Sequence, residues 1–297
     1  MVKQYQKNIK NMSKKNYLNK LIKPKTNKKT LLETVAIVVP VYKKDFSESE
    51  KISMKHLLYF LKNYDKYFIV SKKSRINHPE FEIISFNNKY FKSIKTYSKL
   101  LLTQKFYKKF KKYKYILIYQ LDALVFSDQL LDWCNKNYDY IGAPWINSEM
   151  KKVFPRYNKP DCCGNGGFSL RNVKNCIKVL NTAKQTPFNI LGKSLLAEID
   201  LFKQKEKRVK KYLKIIKNLF RNSSAVKYKH NEDIFWSFEA NKYYPDFKIP
   251  PPDIGLKFAF EVGPKYCFEK NKYQIPFGCH AWKKYDKKFW LPYLLTN

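Results

Sequence analysis

The unbroken run Val35-Ala36-Ile37-Val38-Val39, halted by Pro40, constrains this chain more than any other segment. It is almost entirely β-branched and has no polar position, so a strand built from it has no face to give to water. Such a strand belongs inside a parallel sheet covered on both sides. The following segments agree. A helix-like stretch from Ser49 to Leu61 precedes the short apolar run Tyr67 to Val70, and Phe81 to Phe86 is a third strand candidate. A helical stretch from about Ser98 to Phe110 then leads to Tyr115-Ile116-Leu117-Ile118-Tyr119. Strands alternating with helices predict an α/β fold with a mixed, mainly parallel sheet flanked by helices. Open sheets of this kind bind ligands beyond the carboxyl ends of their strands. Two places qualify: Pro40-Val41-Tyr42 and Gln120-Leu121-Asp122.

With 297 residues, 44% of them hydrophobic, the chain suits one domain with extensions. Residues 1–33 are rich in Lys and Asn and lack apolar periodicity, which predicts an arm outside the core. Residues 34–297 form the domain. Within it, at about 191–224, Leu195, Ile199, Phe202, Val209, Leu213, Ile216 and Phe220 recur at helical spacing among lysines. That pattern predicts a basic amphipathic helical insertion, which either packs one stripe on the body or meets an acceptor or an anionic membrane surface. No apolar run approaches the ~20 residues of a membrane span, and the N-terminus has no apolar signal core. The expectation is a cytoplasmic protein with peripheral membrane contact as its one link to a bilayer.

Lysine and arginine number 60 against 24 acidic residues, a formal charge of +36. Nearly all of it is Lys; Arg75, Arg156, Arg171, Arg208 and Arg221 are scattered. Guanidinium is the group suited to bidentate phosphate and guanine contacts, so no specific nucleic-acid partner is expected. Abundant Lys, Asn, Ile, Tyr and Phe also fit AT-rich coding. The remaining excess favours anionic partners: nucleotide diphosphates, acidic glycans or lipid surfaces. The six cysteines lack paired CxxC spacing, which argues against a zinc ribbon, and with no apolar signal core reduced thiols are the expectation.

Four segments carry chemistry. In Tyr119-Gln120-Leu121-Asp122, a carboxylate follows a buried strand; it either caps the next turn or anchors a hard divalent cation shared with phosphates. Gly164-Asn165-Gly166-Gly167-Phe168 frees the backbone for positive φ and close approach, as a structural turn or a ligand loop. No Gly-Lys-Ser/Thr follows, which excludes a Walker loop. Glu232-Asp233 stands ahead of an aromatic helical run, as a helix-start pair or a source of a general base. His280, with Lys283 and Lys284 behind it, is a satisfied structural residue or part of a metal–diphosphate site.

In this order the segments resemble a domain family of unknown function grouped with the GT-A glycosyltransferases of bacterial and viral glycan loci. The matching stretches include YILIYQLDALVF, YDYIGAPW and GNGGFSLR, and together they span most of residues 34–285. The resemblance implies a GT-A-like (Rossmann-like) catalytic domain. It would transfer a sugar from a nucleotide-sugar donor, UDP-linked by expectation, to a glycan or other hydroxyl acceptor. It implies Asp122 and His280 as ligands of Mn²⁺ or Mg²⁺, with Gln120 where the family pattern has an acidic residue. Pro40, Val41, Tyr42, Gln120, Asp122 and Lys283 would hold the donor. Trp145, Gly164, Asn165, Gly166, Gly167 and Phe168 would wall the sugar and acceptor side. Asp233 would be the catalytic base of an inverting reaction, with Glu232 orienting the acceptor or its neighbours. The alternatives are a retaining transferase on the same fold, or a Lys-rich nucleic-acid- or glycan-binding protein without turnover.

Overall fold

The computed structural model describes residues 33–183, 225 and 228–295. Residues 1–32 of the expected arm and the expected insertion at 191–224 lie outside them. The described strands are β1 (Val35–Pro40), β2 (Asp65–Ser71), β3 (Glu82–Phe86), β4 (Tyr115–Tyr119), β5 (Leu124–Val125), β6 (Tyr140–Gly142), β7 (Pro144–Trp145), β8 (Cys162–Cys163), β9 (Phe168–Asn172), β10 (Ala259–Phe260) and β11 (Gly278–Cys279).

The central sheet runs in the order β3-β2-β1-β4-β9-β6. Its first four strands are parallel, and β9 is antiparallel to both β4 and β6. The sheet is therefore mixed and mainly parallel, as the alternating pattern predicts. All six residues of β1 are buried, and their side chains divide between two cores. Val35, Ile37 and Val39 pack with Leu57, Leu117 and Phe168 on one face. Ala36 and Val38 pack with Leu101, Phe106 and Ile116 on the other. That is the physical reason for the absence of any polar residue in the run.

The helix Glu48–Phe60 starts where Ser47 and Glu50 form a capping box, with the Ser47 backbone N–H donating to Glu50 Oε2 at 2.7 Å. The helical stretch expected from Ser98 to Phe110 is two helices, Ile94–Leu101 and Gln104–Lys108. Thr103 divides them. Its hydroxyl donates to the Leu100 carbonyl and accepts from the Phe106 amide, so one helix ends and the next is capped at a single residue.

Strand β9 carries two polar side chains, Ser169 and Arg171, both fully buried. Its register explains the architecture of the site. Tyr119 pairs with Phe168, so the glycine-rich loop ahead of β9 sits against the carboxyl end of β4. The Gln120 amide donates to the Gly167 carbonyl at 2.8 Å and closes that junction. A second sheet, β10-β11-β5, adds the remaining pieces. Phe260 pairs with Cys279, and Cys279 with Leu124. Consequently Glu261, His280 and Asp122, each just outside its strand, arrive side by side. All six cysteines are unpaired, and among the described residues no helix is long and apolar enough to cross a membrane.

Candidate active site

A cavity of about 320 Å³ opens at the carboxyl ends of β1 and β4. Pro40, Val41 and Tyr42 line it together with Gln120, Leu121 and Asp122, so the two expected donor segments share one pocket. Tyr42 is 55% exposed and meets Tyr97 and Phe91 edge-on, at centroid distances of 5.7 and 6.0 Å.

Against Gln120 and Asp122, His280 is gripped from both sides. Its Nε2 lies 3.1 Å from Asp122 Oδ1 and 3.2 Å from Gln120 Oε1. Its Nδ1 lies 2.9 Å from Glu261 Oε1. Burial opposes charge on this ring, but Asp122 and Glu261 more than offset it and raise its pKa to about 10. The same contact acts on Asp122: burial opposes its ionisation, and His280 overrides that and holds the carboxyl below its ordinary range.

Glu261, which no sequence motif flagged, organises this cluster. Oε1 accepts from Asn165 Nδ2 at 2.7 Å as well as from His280, and Oε2 accepts from Trp145 Nε1 at 3.3 Å. The signal that could have found it is an acidic residue ending the apolar run Phe258-Ala259-Phe260, the same pattern as Asp122 after β4.

The glycines serve close approach rather than unusual backbone angles. Asn165, not a glycine, holds the positive φ of this loop, at 49°, and its side chain accepts from the amides of Gly167 and Phe168. A Cβ on Gly167 would stand 2.0 Å from His280 Nε2, and one on Gly166 would stand 2.3 Å from Glu232 Oε1. The loop is thus pressed flat by the site's own side chains. The Trp145 indole covers Gly164 in the same manner. Phe168 departs from expectation: it is fully buried in the core with Tyr119, Phe258 and Phe277, because as the first residue of β9 it points into the sheet's covered face.

Glu232 and Asp233 open the helix Glu232–Phe238 but have different surroundings. Glu232 is buried and pairs with the fully buried Arg171 at 3.0 Å. Arg171 also reaches Ser169, Tyr107 and the Gly166 carbonyl, tying the helix start to the glycine loop. Asp233 is partly exposed, and its carboxylate accepts from the adjacent Ile234 amide. Burial, followed by the charge of Glu232, pushes its pKa up to about 7. A carboxyl titrating near neutrality can take a proton from a weak acid and release it again. Lys283 is exposed; its neighbour Lys284 is the lysine whose charge interacts with Asp122 and Glu261.

Comparisons with solved structures find distant likenesses. GlyE, a glycosyltransferase of Streptococcus pneumoniae TIGR4, matches with a TM-score of 0.41 at 12% identity, over 90% of this chain and 61% of its own. A glycosyltransferase involved in glycosylation of the major capsid of PBCV-1 matches with a TM-score of 0.41 at 12% identity, over 83% and 93%. The mannosyltransferase Ktr4p of S. cerevisiae gives 0.37 and 11%, over 56% and 66%. The chain thus spans somewhat under two thirds of Ktr4p and GlyE. No curated protein matches by sequence. One family profile does, that described as "Protein of unknown function (DUF5672)", over residues 80–280, more than half of the chain, and the chain belongs to that family.

Proposed function

We propose that this protein is a metal-assisted glycosyltransferase of the GT-A type, transferring a sugar from a nucleotide-diphosphate donor to an acceptor hydroxyl. One observation carries the reading. Asp122 and His280 face each other at 3.1 Å beside the cavity that follows β1, while Asp233 stands nearby with a carboxyl that titrates at about 7.

The donor types suit a hard divalent cation: a carboxylate oxygen of Asp122 and the amide oxygen of Gln120 both stand against the imidazole Nε2 of His280. Among the described residues no cluster of three His, Cys, Asp or Glu side chains is arranged to hold a metal. Asp122 and His280, with Gln120 alongside, would therefore share Mn²⁺ or Mg²⁺ with the donor's phosphate oxygens. When bound, such an ion would offset the charge of the departing diphosphate.

The chain's own residues supply the rest. Pro40, Val41 and Tyr42 would seat the nucleoside, and Lys284 adds positive charge at the diphosphate end. Trp145 would face the acceptor. Asp233 accepts the proton of the acceptor hydroxyl as that oxygen bonds to the anomeric carbon. The bond from that carbon to the diphosphate breaks, and the diphosphate leaves with the electron pair. With no enzyme nucleophile in the sequence of steps, configuration inverts; product anomers read by NMR distinguish this from a retaining enzyme. The reading is tested by titrating UDP, GDP and CDP into the protein with and without Mn²⁺, in wild type and Asp122→Ala. Mn²⁺-enhanced binding of one nucleotide, lost in the variant, is expected. Affinity indifferent to Mn²⁺ in the wild type overturns the metal role.

A further inference from the structure

We propose that Glu261 is the positioning residue of this site: it fixes which ring nitrogen His280 presents to Asp122, and it ties that ring to the Trp145 wall. The inference rests on the functional reading above for its consequences, but its structural core stands on geometry alone.

Three contacts define the role. His280 Nδ1 and Asn165 Nδ2 both approach Glu261 Oε1, at 2.9 and 2.7 Å, and Trp145 Nε1 approaches Oε2 at 3.3 Å. A carboxylate only accepts, so the proton between Glu261 and His280 belongs to Nδ1. Nε2 is then the nitrogen left to meet Asp122 and Gln120, or a cation in place of its proton. Asn165 Nδ2 also lies 2.8 Å from His280 Nδ1. That contact is a hydrogen bond only if Nδ1 is bare, and Glu261 opposes that tautomer.

The backbone makes this arrangement hard to escape. Glu261 and His280 follow paired residues, Phe260 and Cys279, and the His280 amide donates to the Phe260 carbonyl at 2.9 Å. Gly167 blocks the ring from behind, since nothing larger fits there. The Glu261 side chain is itself held by donors from two other elements. A hydrogen bond from Trp145 on one carboxylate oxygen and from His280 on the other means that neither ring shifts without disturbing the other. Carboxylate–histidine pairs of this kind set tautomer and ring orientation where histidine binds a metal, and their loss costs ~10–100-fold in metal affinity.

The experiment compares the full chain with Glu261→Ala and Glu261→Gln. In the metal-free protein at fixed pH, the His280 Nδ1–H resonance is followed by ¹⁵N–¹H NMR, assigned with His280→Asn. It should be strongly deshielded in wild type and lost in Glu261→Ala. In Glu261→Gln it should move upfield, because a neutral amide is the weaker acceptor. An unmoved resonance in Glu261→Gln overturns the proposal even where Glu261→Ala does not fold. Mn²⁺ titration in the presence of UDP should then show a ~10–100-fold weaker metal in Glu261→Ala, against a far smaller change in Glu261→Gln. Equal metal affinity in Glu261→Ala and wild type overturns the coupling to His280. Should wild type bind no Mn²⁺ at all, the functional reading fails while the resonance still decides the role of Glu261.

Discussion

Arg171 and Glu232 form an ion pair with no exposure on the arginine side, Nη2 to Oε1 at 3.0 Å, between strand β9 and the first turn of the helix that carries Asp233. The guanidinium is further satisfied by Ser169, Tyr107 and the Gly166 carbonyl, whereas Glu232 Oε2 finds no hydrogen-bond partner among the described residues. Removing Arg171 therefore strands a buried charge. Arg171→Met should cost about 3–5 kcal/mol, read as a lowered urea midpoint. Adding Glu232→Leu should recover much of that loss, because an apolar pair needs no counter-charge. A double variant no better than the single one would show that the cost lies in packing.

Gly167 predicts a different phenotype. An added Cβ would meet His280 Nε2 at 2.0 Å, the nitrogen that faces Asp122. The ring has to swing or the loop has to lift. Gly167→Ala should thus weaken Mn²⁺ binding by ~10-fold or more, while far-UV circular dichroism stays that of the wild type. Metal titration on both proteins checks it, and unchanged affinity would place the metal elsewhere.

His56 offers a test of stability rather than activity. It is fully buried, with Nδ1 2.9 Å from the Val125 carbonyl and Nε2 accepting from the Leu295 amide at 2.9 Å. A carbonyl on one side and an N–H on the other admit only the neutral ring protonated on Nδ1. Burial, the dominant effect, drives its pKa from 6.5 down to about 4. The unfolded chain binds this proton more readily than the folded one between those values. Its contribution is therefore intact above pH 6.5 and is lost as pH falls toward 4, on the order of 3 kcal/mol in all. His56→Gln keeps a donor and an acceptor without a titrating group. Chemical denaturation from pH 7.5 to 4.5 should show a shallower decline for that variant.

The extent to which the site was legible in the sequence follows from what each residue does. Asp122 drew notice because a carboxylate after a buried apolar strand contradicts its surroundings, and Asp233 because it stands in a Glu-Asp pair ahead of an aromatic helical run. Strands β1 and β4 were visible for a related reason, since burial on both faces leaves them almost wholly apolar. Glu261 was not: its partners are 96 to 116 residues away for Asn165 and Trp145, and only the register of β10 against β11 makes it a neighbour of His280. Strand β9 was hidden because Arg171, a residue that reads as surface, is buried by a partner 61 positions later. The glycine loop was found, but its reason differs, since its glycines yield space to Glu232 and His280 rather than adopting left-handed angles.

Asp233 carries the sharpest prediction. Its carboxyl titrates at about 7 because burial and Glu232 both disfavour its charge. A base must be deprotonated, so the rate at low donor and acceptor should rise with pH through about 7 and flatten above it. Asp233→Asn keeps the shape and the bond from the Ile234 amide but cannot take a proton. Transfer should fall ~10²–10⁴-fold, with UDP and Mn²⁺ binding nearly unchanged. Stability gives an independent sign. A carboxyl whose folded pKa lies above its unfolded value favours the folded state below about 3.8, and that advantage is lost as pH rises through about 7. Asp233→Asn should therefore melt higher than wild type at pH 8, the opposite of what loss of a helix-start contact would cause. Glu232→Gln, by contrast, weakens the pair with Arg171 and should melt lower while retaining part of its activity. Near-normal transfer by Asp233→Asn, with its melting temperature lowered, would reduce Asp233 to a helix-start residue and remove it from the chemistry.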